Sequence, residues 1–90
     1  MKKVAFITGA GGYIGSETAR VLAKNDIAIA VCDINEDTVR ATVESIQLLG
    51  GEAFGRVLDV TDSADVDAAV NETVERYGRV DILVNNAAQV

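Results

Sequence analysis

Four short apolar runs recur along this 90-residue chain, each closed by a glycine, an acid or an asparagine, and stretches of helical periodicity separate them. No other feature limits the fold so strongly, because strands alternating with amphipathic helices pair in parallel through crossover connections. "KVAFIT" (3–8) reads as a buried strand ended by Gly9. A helix is expected from about Ile14 to Lys24, with Ile14, Thr18, Val21 and Leu22 sharing its apolar face. "DIAIAVCD" (26–33) is the second strand, closed by Asp33. Asn35 then caps a helix carrying Val39, Val43, Ile46 and Leu49 and ending at Gly50 and Gly51. "EAFGRVLD" (52–59) is a third strand that ends in Asp59. Residues 61–78 begin with capping residues, put Val66, Val70, Val74 and either Tyr77 or Thr73 on one stripe, and stop at Gly78. "VDILVNNAA" (80–88) is the fourth strand.

This βαβαβαβ order implies an α/β fold, a Rossmann-type doubly wound parallel sheet with strands in the order 3-2-1-4. Its ligand crevice lies where the order reverses, between the first and fourth strands. Strands 1, 2 and 4 are nearly continuous apolar runs, so helices must cover both faces. The first two helices serve one face and only the third serves the other. The sheet is therefore expected to be incomplete on its C-terminal side, with residues 1–90 a (half-)domain completed by a longer chain or by a second copy in a homo-oligomer.

Charge and cysteine usage narrow the function classes. A net charge of −6 offers no basic patch for nucleic acid or an anionic membrane, and the absence of histidine removes His-based metal sites and Ser-His-Asp triads. No metal site is expected. Lys2 and Lys3 precede an apolar run that glycines interrupt after about five residues, too short for a secretory signal. Cys32 stands alone inside an apolar run and is expected to be a buried small hydrophobe, in keeping with a reducing, cytoplasmic setting.

The stretch "TGAGGYIG" (8–15) carries the chemistry. Read strictly as G-x-G-x-x-G it fails, because Ile14 stands where the last glycine should. Read as Gly9-x-x-Gly12-x-x-Gly15 it serves: Gly9 leaves the strand, Gly12 sits where a pyrophosphate approaches the backbone, and Gly15 lets the helix pack closely on the sheet. Tyr13 falls in the first helical turn, and Thr8 is expected to hydrogen-bond across the turn and hold it. The free N–H groups of that turn and the positive end of the helix face the crevice. Without a ligand the same residues make only a glycine-rich turn.

Asp33 lies 18 residues beyond Gly15, near the offset at which a carboxylate accepts the ribose hydroxyls of an adenosine. There it would repel a 2′-phosphate, and no lysine or arginine in the loop would neutralise one, so NAD is favoured over NADP. No Gly-Lys-Ser/Thr follows the glycines, which excludes a P-loop. An FAD- or S-adenosylmethionine-binding Rossmann domain stays compatible with these features.

"TGAGGYIG", "LDVTD" and "LVNNAA", in this order, together resemble the N-terminal half of the short-chain dehydrogenase/reductase family over essentially the whole chain. The resemblance implies an NAD-dependent oxidoreductase acting on alcohol/ketone pairs, of which this chain is the cofactor-binding portion. It further implies that Thr8 to Gly15 wrap the pyrophosphate, with Tyr13 and Ile14 near it, and that Asp33 holds the adenosine ribose. Asp59 and Val60 would flank the adenine, with Asp59 accepting from its exocyclic amine. Asn86 and Ala87 would line the cofactor, while Asn85 ties the fourth strand to its neighbours. The loop is similar to the T-G-x-x-G-x-x-G of the family's extended branch, whereas "NNAA" and the spacing from Asp59 to Asn85 are similar to its compact branch.

The family's chemistry uses a serine and a Tyr-x-x-x-Lys pair. Tyr13 is followed four residues later by Glu17, and Tyr77 by Asp81, so no catalytic residue is assigned among these 90. A stand-alone, non-catalytic nucleotide-binding module that completes its sheet by self-association is the alternative reading.

Overall fold

A computed structural model of the chain describes residues 2–86. β1 (Lys3–Thr8), α1 (Tyr13–Lys24), β2 (Ile27–Asp33), α2 (Glu36–Leu48), β3 (Ala53–Val57), α3 (Ser63–Tyr77) and β4 (Ile82–Asn85) follow one another in strict alternation. The strands form one sheet in the order β3-β2-β1-β4, with every neighbouring pair parallel. Thr8 lies opposite both Cys32 and Asn85, and Asp33 lies opposite Val57. The C-terminal ends of the strands thus come together along one edge of the sheet.

The central strands are buried on both faces because successive side chains point to opposite sides. Ala5, Ile7, Ile29 and Val31 pack with Ala19, Ala23, Val39 and Ile46 beneath α1 and α2. Phe6, Ala30, Cys32 and Phe54 pack with Leu58 and Ala69 beneath α3. This two-sided core outweighs the ion pairs, most of which are exposed and contribute about 0–1 kcal/mol each. Asn35 caps α2 by accepting from the Asp37 and Thr38 N–H groups, and Asp62 caps α3 by accepting from those of Ala64 and Asp65.

Helix faces depart from the periodic reading where close approach matters more than apolar spacing. In α1 the buried residues are Gly15, Ala19 and Ala23, while Ile14 and Val21 are 70% and 54% exposed. A Cβ at Gly15 would lie 2.1 Å from the Gly9 carbonyl oxygen, so position 15 must face inward. At about 100° per residue that rotation turns Ile14 and Val21 outward. In α2 Val39, Thr42 and Ile46 are buried and Leu49, at the C-cap, is exposed. In α3 the innermost residues are Ala69 and Thr73, with Val66, Val70 and Tyr77 packed beside them and Val74 outside. Thr73 tolerates burial because its hydroxyl donates to the Ala69 carbonyl at 2.8 Å.

The third strand also ends earlier than expected, at Val57. One further ladder contact, Leu58 N–H to the Asp33 carbonyl at 2.8 Å, precedes a turn that carries Asp59 toward α3. Among the described residues no helix is long and apolar enough to cross a membrane.

Core and surface positions of the same residue type should therefore separate. In this 90-residue chain Ile46→Ala is expected to lower the unfolding free energy by about 2–5 kcal/mol, and Ile14→Ala by less than about 0.5 kcal/mol, in urea denaturation. Burial beneath α3 pushes the Cys32 thiol up from 9.0 to about 12. The unfolded chain gives up that proton first, so this contribution to stability is full below pH 9 and is lost as pH rises toward 12. Stability measured across that window should fall less steeply for Cys32→Ala than for the parent.

Candidate functional site

The link from β1 to α1 is held at every residue from Gly9 to Gly12. Gly9 turns the chain at φ 65°, in the left-handed region that glycine adopts without strain. Ala10 is fully buried; its N–H donates to the Cys32 carbonyl at 3.0 Å, and its carbonyl accepts from the Thr42 hydroxyl at 3.2 Å. The Gly11 N–H donates to Asp33 Oδ2 at 2.9 Å, and the Gly12 N–H closes the turn on the Gly9 carbonyl at 3.1 Å. Gly12 is the N-cap of α1 and brings no side chain to the first turn, which also holds no acid. The N–H groups and positive dipole of this turn are left facing outward from the strand end.

The glycines answer to different constraints. Gly15 is required by the fold, because a Cβ there would strike the backbone of Gly9 and Ala10 rather than the sheet. Gly11 is crowded by side chains rather than by backbone: a Cβ would lie 2.2 Å from Thr38 Oγ1 and 3.0 Å from Asp33 Oδ2. Gly12 is not. Its backbone is extended, with φ −74°, and a Cβ would meet only the Gly9 carbonyl oxygen, at 3.4 Å.

Asp33 is half-buried at the end of β2 and stitches the edge together. Oδ2 takes the Gly11 N–H, while Oδ1 takes the Ile34 N–H at 2.7 Å and that of Asn35 at 3.4 Å. A carboxylate is thereby pinned beside the glycine loop. Thr8 does not span the turn as expected; its hydroxyl donates to Asn85 Oδ1 at 2.9 Å and ties β1 to β4. Thr42 and Gly12 hold the turn instead.

Past β4 the Asn86 N–H donates to the Thr8 carbonyl at 3.2 Å, and its side-chain Nδ2 is buried without a partner among the described residues. A buried donor left without a partner costs free energy, about 1–3 kcal/mol, which an external acceptor at this edge would recover. Ala87 lies outside the described residues.

Beyond β3 the exposed Asp59 folds its carboxylate onto Thr61, with Oδ1 accepting from the backbone N–H at 2.9 Å and from the hydroxyl at 2.7 Å. Those bonds hold its carboxyl below the usual range. Val60 lines a cavity of about 180 Å³ with Phe6, Thr8, Val66, Leu83 and Asn85. Tyr13 opens α1 and is 86% exposed, and with Ile14 it flanks a shallow apolar groove on the outer face of that helix.

Three contributors have no clear mark in the sequence: Gly11, Thr38 and Thr42. The two threonines reach the loop from α2, and only their spacing of four, which places them on one helix face, hinted at a shared role.

A family model described as short chain dehydrogenase matches residues 3–90. A 7alpha-hydroxysteroid dehydrogenase of Escherichia coli (strain K12) is 44% identical over 85 residues, covering 94% of this chain and 33% of that protein. The crystal structure of an NAD+-bound xylitol dehydrogenase superposes with a TM-score of 0.93 at 40% identity, covering 97% of this chain and 34% of that one. An actinorhodin polyketide ketoreductase with NADPH superposes with a TM-score of 0.94 at 43% identity, over 98% of this chain and 34% of that one. The chain spans about a third of the length of the curated relatives it matches.

Substitutions at the two glycines should behave differently. Gly15→Ala is expected to cost about 1–3 kcal/mol of stability through overpacking against Gly9, whereas Gly12→Ala should cost less, within about 1 kcal/mol for alanine at an N-cap, as followed by circular dichroism.

Proposed function

This chain belongs to the short chain dehydrogenase family, and on that premise we propose that residues 1–90 are the cofactor-binding half-domain of an oxidoreductase that interconverts alcohols and ketones, with NAD preferred over NADP. The observation that carries the cofactor reading is Gly12. Neither φ nor packing excludes a Cβ there, so beyond the ordinary preference of an N-cap for glycine over alanine, the missing Cβ fits a ligand that approaches the helix N-terminus. Asn86 Nδ2, buried on the same edge of the sheet without a partner among the described residues, supports a polar ligand there as well.

In this reading Thr8, Gly9, Gly12, Tyr13, Ile14 and Gly15 form the pyrophosphate loop, with backbone N–H groups of the first turn of α1 as the donors. Asp33 accepts from the adenosine ribose through Oδ2, where the Gly11 N–H occupies one lone pair and leaves the other, while Oδ1 is taken by the Ile34 and Asn35 N–H groups. Asp59 and Val60 flank the adenine, Asp59 accepting from its exocyclic amine, and Asn86 and Ala87 line the dinucleotide. A bound nicotinamide dinucleotide supplies the hydride donor or acceptor. The residues of this chain bind and orient it, and the general acid and base of the reaction lie outside these 90 residues.

Relatives of both kinds, one titled with NAD+ and one with NADPH, leave the choice of cofactor to the residues themselves. The preference for NAD follows from Asp33, whose charge is pinned beside the ribose position while the loop holds no cation to offset a 2′-phosphate. Calorimetry on the full-length protein tests this directly. NAD is expected to bind at least about tenfold tighter than NADP, and Asp33→Asn, which keeps one acceptor for the Gly11 N–H, gives up that of Ile34 and removes the charge, should reduce that ratio severalfold. Gly12→Ala should weaken both dinucleotides while costing no more than about 1 kcal/mol of stability. Tighter binding of NADP by the parent protein would sink the role given to Asp33.

A further inference from the structure

Asp59 is proposed to read the adenine base, yet it sits on an exposed turn, and exposed turns hold their geometry poorly unless something fixes the main chain. Two groups do so here. Thr61 takes Oδ1 of the Asp59 carboxylate through its N–H and its hydroxyl, leaving Oδ2 without a partner among the described residues. On the other side the Asp59 N–H donates to Asp65 Oδ2 at 3.1 Å.

Asp65 belongs to the first turn of α3, but Asp62 already supplies the cap there, accepting from the Ala64 and Asp65 N–H groups. The Asp65 carboxylate is instead turned back toward the loop. Its second oxygen, Oδ1, accepts from Arg56 Nη2 at 2.9 Å. The Arg56 guanidinium is in turn held on its other donors: Nε bonds to Glu72 Oε1 at 3.2 Å, and Nη1 bonds to the carbonyl of Val57, the last residue of β3. Arg56 thus links the end of β3 to two turns of α3, and Asp65 passes that anchorage to the peptide of Asp59. The pair is half-buried, with side-chain exposures of 26% and 28%, and it is better sheltered than the surface pairs of Lys2 or Arg40. Single pairs of this kind add little to stability, whereas a fixed donor–acceptor geometry is what base discrimination needs.

We propose that Asp65, held by Arg56, is a positioning residue for base specificity: it fixes the Asp59 peptide so that the carboxylate distinguishes an amino-bearing purine from an oxo-bearing one. The proposal rests on the reading of Asp59 given above. NAD and nicotinamide hypoxanthine dinucleotide, in which a carbonyl replaces the exocyclic amine, are the probes, and dissociation constants on the full-length protein are the readout. The parent is expected to favour NAD by about tenfold or more, as a charge-assisted hydrogen bond allows. Asp65→Ala and Arg56→Met should bring that ratio to within about twofold by weakening NAD alone, and Arg56→Lys should retain most of it. Should Asp65→Ala fail to fold, Arg56→Met and Arg56→Lys carry the same expectation, with melting temperatures recorded for each. Full discrimination in the Asp65 and Arg56 variants but not in Asp59→Ala overturns the positioning role and leaves the reading of Asp59 standing. Equal weakening of both dinucleotides reduces Asp65 to a structural part and also overturns it. A parent that binds both probes equally overturns the role of Asp59 and this proposal with it.

Discussion

The first turn of α1 rests directly on the backbone that leads into it, with position 15 so close to the Gly9 carbonyl that only a hydrogen fits between them. Much of the molecule's arrangement follows from that contact. It sets the rotation of α1, so that Gly15, Ala19 and Ala23 lie against the sheet and the larger apolar side chains of the helix lie outside. It also presses the loop against β2 and α2, where Cys32, Asp33 and Thr42 take up the polar groups of Ala10 and Gly11. A tight strand-to-helix crossing leaves backbone groups that must find partners nearby, and the neighbouring strand end and helix face are what lie within reach.

The same economy organises the whole C-terminal edge of the sheet. β1, β2 and β4 each end there in a residue whose polar side chain serves its neighbours: Thr8 bonds to Asn85, and Asp33 bonds to the glycine loop. The turn after β3 follows suit, with Asp59 bonded to Thr61 and Asp65. Most polar groups at this edge are satisfied within the chain. Among the described residues the exceptions are the first-turn N–H groups of α1, the Asn86 Nδ2 and one oxygen of Asp59.

Strand and helix alternation was legible because a parallel strand buried on both faces reads as a short continuous apolar run, whereas an amphipathic helix spaces its apolar residues three and four apart. Asp33 was legible by its distance from the glycines and by its place at the end of a strand. Thr8 was placed in the crevice but given the wrong partner. A hydroxyl on a strand end can turn to the loop ahead or to the strand beside it, and the choice depends on β4, which comes from the far end of the chain. Gly11 is hidden in the sequence for the same kind of reason: the atoms that crowd a side chain there belong to Thr38, 27 residues away.

What the sequence determined by itself was the order of elements, the parallel sheet and the glycine loop with its acid, since these follow from local period and from spacing along the chain. The tertiary structure decided the rotation of each helix and the partner of each polar group. Ile14 and Val21 look like a core stripe until α1 is brought down onto Gly9, and Arg56 looks like an ordinary strand-end cation until α3 places Asp65 and Glu72 beside it. Such outcomes depend on contacts between residues remote in sequence, where steric exclusion and hydrogen-bond satisfaction override the periodic pattern.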